Sequence, residues 1–476
     1  MFYYYYMVSI VNEKNKSRIH IMASCIPHSN VLKQSEELNQ NILETILTKY
    51  FGKCIQLKDF KIYNKQSGLC NENFQSDIVK ITAKLSNDQD LHLISKETMN
   101  DAPLWLRLLS TIHRPFYKEI HWYSVFLPLL SANWPFIAEL SPRCYYAHIN
   151  SELSLKRSWF CRNKDIRPTT IQLKSEKAII LLENVMEKQG DERFKKIDGT
   201  SLIDIEIAKS ALRSMGHFHG IWWQFLNRKN TKVTYKPNLT PSDFEHNFMT
   251  NDSSAGLKKM FKPFMKMYER VLINHLPEPE GVTLGKRAMS YFRDGKILEV
   301  FQRLLTKTVK EQSMYKTMMH GDFWRNNLLY RPSDNHVLMI DYQGLMIAHP
   351  ARDFWYFVYS CSDRDWRQKH LEDCKKEYFT IFSSYLNEYM DVNYEVFSEE
   401  IEEMRGFALI LPMIVEILSN YPEEINRHSF FMIGKDYKIM FKAIETKETE
   451  SDHPGVKRIR RRLIDTAQDL ADLGII

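Results

Sequence analysis

The stretch HGDFWRNNLLYRPSDNHVLMIDYQG, residues 320–344, restricts what this chain can fold into more than any other. NLLY and VLMI are short apolar runs of strand-forming residues joined by the turn-rich RPSDNH, which is the pattern of a hairpin. Asn327 opens the first run and Asp341 closes the second, so antiparallel pairing brings both to the open end, about 5 to 8 Å apart. Two oxygen donors then face one point. Mg²⁺ takes such a pair while phosphate oxygens and water complete its octahedron.

Asp322 stands just before that end of the hairpin. Asp322 and Asn327 are five apart, the separation of the catalytic-loop Asp and Asn in the protein-kinase pattern, and an Asp again follows an apolar run. From there Asp322 can accept the proton of an attacking hydroxyl and orient it towards the γ-phosphate of ATP. A single Asp in a loop is more often a cap or turn residue. The joint spacing is far more specific. A peptide acceptor is disfavoured, because Gly321 replaces the Arg of HRD, Tyr342 and Gln343 replace the Phe and Gly of DFG, and no APE segment follows.

HGDFWRNN followed by IDYQG resembles the ecdysteroid-kinase-like, or CHK kinase-like, family, related to choline and aminoglycoside kinases. SGLCNENFQS is similar to that family's phosphate-loop segment and LLENV to its hinge, while PRCYYAH and HPARDFWYF also look familial. The resemblance covers most of the chain beyond about the first 30 residues. It implies an α+β, bilobal protein-kinase-like fold, with ATP between a strand-rich N-lobe and a mainly helical C-lobe. It also implies that Lys96, ending LISK, holds the α- and β-phosphates and that a helix glutamate, Glu119 in FYKEIHWY, orients it. Such a pair sits in a low-dielectric cleft where either charge alone is costly; the plainer alternative is a surface ion pair. Asn73, Phe74 and Ser76 would line the phosphate end, against the plainer reading of a turn into a strand, and there is no GxGxxG, only Gly68. The backbone from Glu183 to Val185 would bind the adenine edge, with Asn184 where the family usually has Asp. The implied partner is a small-molecule hydroxyl acceptor: a steroid, an ecdysteroid-like compound or a foreign molecule, with a choline-like amine or an aminoglycoside as runner-up. The rival of another class is a pseudokinase, a nucleotide-binding scaffold without transfer.

The rest of the chain divides around this core. An extension covers residues 1–30, a small mixed lobe for the nucleotide covers 31–184, and a helical lobe covers 185–476. A helix is expected over 33–51 from the stripe Leu38, Ile42, Leu43, Ile46 and Leu47. SDIVKITAKL and LHLISKE read as strands joined by SNDQD, residues 113–130 as a helix, and IILLEN as another strand. Residues 228–254 read as a connection. DHPGV breaks the chain before a last helix that Gly474 caps.

Formal charge is 65 minus 59, or +6, spread along the chain, so no nucleic-acid partner is required. The run KRIRRR, residues 457–462, is expected to be the wet face of the terminal helix, with Ile459, Leu463, Ala467 and Leu470 behind it. Seven cysteines without a CxxC pair suggest reduced thiols and a cytoplasmic protein. MFYYYYMVSI lacks the basic flank of a signal peptide, and no window reaches the roughly 18 apolar residues of a membrane span. His217 and His219 are two apart, on different helix faces, and read as structural. Trp222, Trp223, Trp324, Trp355 and Trp366 read mainly as core. Asp353 and His320 are expected to support the catalytic loop.

Overall fold

Alternating apolar residues build the first half around one sheet. In the computed structural model, residues 8–11, 18–21, 38–63, 76–98, 115–150, 177–198, 202–227, 254–306, 315–411, 435–449 and 452–476 are described. Strands β1 (Val8–Val11) and β2 (Arg18–Ile21) form a separate hairpin. Helix α1 (Gln40–Phe51) then lies beside strands β3 (Leu57–Ile62), β4 (Ser76–Leu85) and β5 (Asp90–Thr98). With β6 (Cys144–Asn150) and β7 (Lys177–Glu183) these make a five-stranded antiparallel sheet in the order β3-β4-β5-β7-β6. Val79, Ile81, Ala83 and Leu85 of β4 bury one face against Ile42, Leu43, Ile46 and Leu47 of α1. The helix starts later than the apolar stripe suggests, because the Asn39 side chain accepts the Ile42 N–H at 3.1 Å and caps it; residues 33–37 lie outside the described set. Strand β5 runs two residues past Lys96, since Glu97 and Thr98 still pair with Asp77 and Ser76.

The helix expected across 113–130 is interrupted. It runs as α2 (Pro115–His121), a widened π turn at Trp122–Phe126 and α3 (Leu127–Ser131). Pro128 brings no N–H to the helical ladder, and a widened turn next to it absorbs the missing bond.

The second half is helical around one large apolar cluster. It comprises β8 (Lys195–Lys196), α4 (Ile205–Asn227), α5 (Ser254–His275), α6 (Glu280–Arg293), α7 (Lys296–Thr306), β9 (Thr317–Met319), β10 (Leu328–Arg331), β11 (His336–Met339), β12 (Met346–Ala348), α8 (Ala351–Cys361), α9 (Arg364–Leu386), α10 (Tyr394–Glu403), α11 (Lys435–Glu445) and α12 (Pro454–Asp472). Trp222, Trp223 and Trp355 are core residues of this cluster, and Trp366 packs on its edge. Among the described residues no helix is long and apolar enough to cross a membrane.

The basic run on α12 differs from the expectation of a wet face. Ile459, Leu463, Ala467 and Leu470 are buried as expected, but so are Arg460 and Arg462, at 3% and 5% exposure. Arg460 reaches back to the end of α11, where it donates to the Ile444 carbonyl at 2.9 Å and to the Ala443 carbonyl, and it pairs with Asp452. A guanidinium can be buried when orphan carbonyls of a helix end and a carboxylate satisfy its fork. At the far end Gly474 adopts φ 69°, a left-handed cap as the sequence suggested.

Candidate active site

The hairpin forms in the register its sequence suggests. Leu328 pairs with Met339 and Arg331 with His336, and the Ile340 N–H donates to the Asn327 carbonyl at 2.9 Å. Asn327 ends a short 3₁₀ turn before β10, and Asp341 leaves β11 with φ 66°. The two glycines of the motif are steric requirements. Gly321 has φ 84°, and a Cβ there would lie 1.9 Å from the Gly344 carbonyl oxygen. The loops that carry Asp322 and Asp341 cross at this point, and only glycine permits it.

Both oxygens of Asp322 are held. Tyr356 donates its hydroxyl to Oδ1 at 2.7 Å, and the Asn327 amide donates to Oδ2 at 2.8 Å and to the Asp322 carbonyl at 2.9 Å. Burial and then the charge of Asp341 raise the pKa of Asp322, against smaller downward pulls from Tyr356, His320 and Asn327. Asp353, on the first turn of α8 and fully buried, accepts the backbone N–H of His320 at 2.7 Å and of Gly321 at 3.0 Å. Burial alone would raise its pKa; His219 beside it and Arg352 outweigh that and hold it low. His219 also meets the Tyr378 hydroxyl at 2.8 Å and His217 meets that of Tyr385 at 2.7 Å, so both histidines brace α4 against α9. Burial lowers the pKa of His320, and its Nε2 lies 3.1 Å from the Ile340 carbonyl. A neutral imidazole carrying its proton on Nε2 satisfies that contact.

Lys96 and Glu119 come together as expected, Nζ to Oε2 at 2.6 Å, with Lys96 only 6% exposed. The surface-pair alternative is therefore set aside. Lys96 also reaches Asp341 Oδ1 at 2.7 Å, a contact no local pattern announced. Burial pulls the Lys96 pKa down, but Asp341 and Glu119 together hold it above its ordinary value. For Glu119 burial wins over Lys96 and pushes the pKa up to about 7. Both shifts are upward, and the ammonium, gripped by two carboxylates, is favoured in its charged form. Tyr342, next after Asp341, stacks on Trp122 with centroids 4.4 Å apart and bonds Ser141 at 2.6 Å. That fastens the Asp341 loop to the segment carrying Glu119.

The remaining expected residues fall as follows. Ser76 is buried at the first position of β4; Asn73, Phe74 and Gly68 lie outside the described residues. Glu183 ends β7. Its N–H is taken by the Arg143 carbonyl, and that of Asn184 by the His92 carbonyl. Val185 accepts from the Phe194 N–H at 3.2 Å, so its carbonyl is partly committed to the fold.

The donor set fits a hard divalent cation. Asn327 commits its side-chain nitrogen to Asp322, and Asp341 commits Oδ1 to Lys96, which leaves the side-chain Oδ1 of Asn327 and Oδ2 of Asp341 without a hydrogen bond among the described residues. Those residues contain no cluster of three or more His, Cys, Asp or Glu side chains able to hold a metal alone. Phosphate and water would have to complete the shell, which is the habit of Mg²⁺. Tyr356 is the functional candidate that sequence reasoning missed. Its only signal was membership in HPARDFWYF, three residues beyond Asp353 on the same helix face.

The profile of the ecdysteroid kinase-like family matches residues 71–390, well over half of the chain and all of the site just described. No curated protein matches the sequence. Among solved structures, an ethanolamine kinase of Plasmodium vivax is similar at 10% identity, covering 94% of this chain and 93% of that one, with a TM-score of 0.38. An aminoglycoside phosphotransferase of Alicyclobacillus acidocaldarius is similar at 10% identity over 93% of this chain and 98% of that one, TM-score 0.38. An amicoumacin kinase in complex with AMP-PNP, Ca²⁺ and Ami is similar at 12% identity over 85% and 90%, TM-score 0.37. With its antiparallel sheet, its helical second half and a family match that spans both, the chain belongs to the ecdysteroid kinase-like family of small-molecule kinases, in the bilobal protein-kinase-like fold.

Proposed function

We propose that this kinase uses ATP and Mg²⁺ to phosphorylate a hydroxyl of a small molecule, an ecdysteroid or another steroid-like or foreign compound. The observation that carries the reading is the Asp322 carboxylate, partly buried and fixed through both oxygens by Tyr356 and Asn327. Burial, which raises its pKa, makes the carboxylate a better proton acceptor.

The acceptor hydroxyl attacks the γ-phosphorus in line. Its O–H bond breaks, the proton goes to Asp322, an O–P bond forms, and the bond from phosphorus to the bridging oxygen breaks so that ADP leaves. Asn327 and Asp341 would hold Mg²⁺, which when bound neutralises charge on the β- and γ-phosphates. Lys96, braced by Glu119, turns from Asp341 to the α- and β-phosphates. Asn73 and Ser76 line the phosphate end, and the backbone of Glu183 and Val185 meets adenine. Residues 31–184 form the nucleotide lobe and 185–476 the catalytic lobe. A cytoplasmic setting is part of this proposal, in keeping with seven cysteines that include no CxxC pair.

A γ-phosphate transfer screen tests this: protein and Mg²⁺-ATP against hydroxysteroids, choline-like amines and aminoglycosides, beside Asp322→Asn. Transfer by the intact protein alone supports the reading and names the acceptor class. ATP binding by both with transfer by neither turns it towards a pseudokinase.

A further inference from the structure

Asp322 is reached through a glycine. Gly321 immediately precedes it, has φ 84° and carries no side chain to limit rotation about its backbone bonds. Both polar backbone groups of Gly321 are nevertheless held, and by consecutive residues. Asp353 accepts its N–H at 3.0 Å, and the Arg352 guanidinium donates to its carbonyl at 2.9 Å. That carbonyl lies in the same planar peptide as the Asp322 N–H, so fixing it fixes the direction in which the chain enters Asp322. We propose that Arg352 is a positioning residue for phosphoryl transfer, which aims the Asp322 carboxylate at the acceptor hydroxyl; the inference rests on the function proposed above.

Three features separate this contact from an ordinary surface hydrogen bond. Arg352 does not spend its charge on a close ion pair. Among the described residues its ion-pair contact is Asp353 Oδ1 at 3.7 Å, too long for a hydrogen bond, and the Asp353 oxygens already accept the backbone N–H groups of His320 and Gly321. The Arg352 side chain is only 18% exposed, so water competes little for the guanidinium and a charge-assisted bond to a carbonyl is strong. Finally, Arg352 stands one turn before Tyr356 on α8, the residue whose hydroxyl donates to Asp322 Oδ1 at 2.7 Å. Burial and then Asp322 raise the Tyr356 pKa, and the positive charge of Arg352 opposes them, which makes that hydroxyl the better donor. Arg352 therefore acts on Asp322 by two routes, its backbone and its hydrogen-bond partner.

Loss of the guanidinium leaves the fold largely intact. Burial first and the charge of Arg352 second push the Lys118 pKa down to about 8, so removing that charge relieves one repulsion while it gives up one hydrogen bond. The steric crossing of Gly321 with Gly344 also remains, and it keeps the two loops together without fixing the Gly321 carbonyl.

Arg352→Met and Arg352→Lys are compared with the intact protein on the acceptor that the transfer screen identifies. For Arg352→Met the expected result is a kcat about 10- to 100-fold lower, the size of one charge-assisted hydrogen bond, with the KM for ATP within about twofold. Its melting midpoint should stay within about 3 °C, which separates misplacement from unfolding. Arg352→Lys keeps a cationic donor and should recover part of the loss. Hydrogen exchange supplies a readout that needs no acceptor: residues 320–323 should exchange about tenfold faster in Arg352→Met, with the rest of α8 unchanged. A kcat within about twofold of the intact protein, an equal loss in Arg352→Lys, or unmoved exchange at 320–323 would overturn this proposal while leaving the kinase reading in place. No transfer by the intact protein to any acceptor would overturn that reading and this inference with it.

Discussion

Replacing Lys96 by methionine keeps the length of the side chain and removes its charge, and the structure sets the consequence. Glu119, with 1% of its side chain exposed, would be left facing no cation, and Asp341, with 26% exposed, would lose its partner but keep access to water. Stranding one partner of a buried pair costs about 3–5 kcal/mol, and the Glu119 carboxylate accounts for most of it here. Against a total of about 5–15 kcal/mol for a typical domain, urea denaturation reads this directly. Adding Glu119→Gln should recover part of the loss, so a double-mutant cycle should give a coupling of about 1–3 kcal/mol, although neither variant transfers phosphate. The pH dependence has a definite sign. A carboxyl whose folded pKa is raised binds more protons folded than unfolded, so its contribution is present at low pH and is lost as pH rises. In the intact protein that loss runs from the ordinary 4.5 up to about 7. Without Lys96 the folded pKa rises further, and the deficit of Lys96→Met should keep growing above pH 7. A Lys96→Met cost under about 1 kcal/mol, or strict additivity with Glu119→Gln, would refute the idea that the two act as one buried unit.

Tyr356→Phe removes a hydrogen bond that lowers the Asp322 pKa, so the acid limb of kcat/KM should move to higher pH with activity largely recovered on the alkaline side; an unmoved limb would argue against Asp322 as the base. Gly321→Ala places a Cβ 1.9 Å from the Gly344 oxygen at φ 84°, and should cost about 3 kcal/mol or more in a thermal melt together with transfer activity. Arg460→Ala should destabilise by about 1–3 kcal/mol, because it strips the guanidinium from the carbonyls at the end of α11 and leaves Asp452 without its cation. Arg461→Ala, at an exposed side chain on the same run, should stay within about 0.5 kcal/mol, and equal effects in the two variants would return the run to a solvated face.

The hairpin, the meeting of Asn327 and Asp341 at its open end, and Asp322 were legible in the sequence because everything that places them is local. Strand alternation, turn chemistry and a five-residue spacing act within one 25-residue stretch, and the same period-two logic found β4 and the face it buries. Glu119 was legible only through resemblance, since no local signal distinguishes a cleft glutamate from a surface one. Its burial became visible once α2 was packed on the loop after Asp341. Tyr356 reaches Asp322 across 34 positions and Lys96 reaches Asp341 across 245, so no periodic pattern within a segment could relate them. Arg460 and Arg462 show the reverse case: a cationic run reads as a wet face until a helix end and a carboxylate are brought against it. The sequence by itself determined which groups would meet at the hairpin's open end. Tertiary structure alone decided how each is charged and held, because burial and the partners of a buried charge are properties of packed elements distant along the chain.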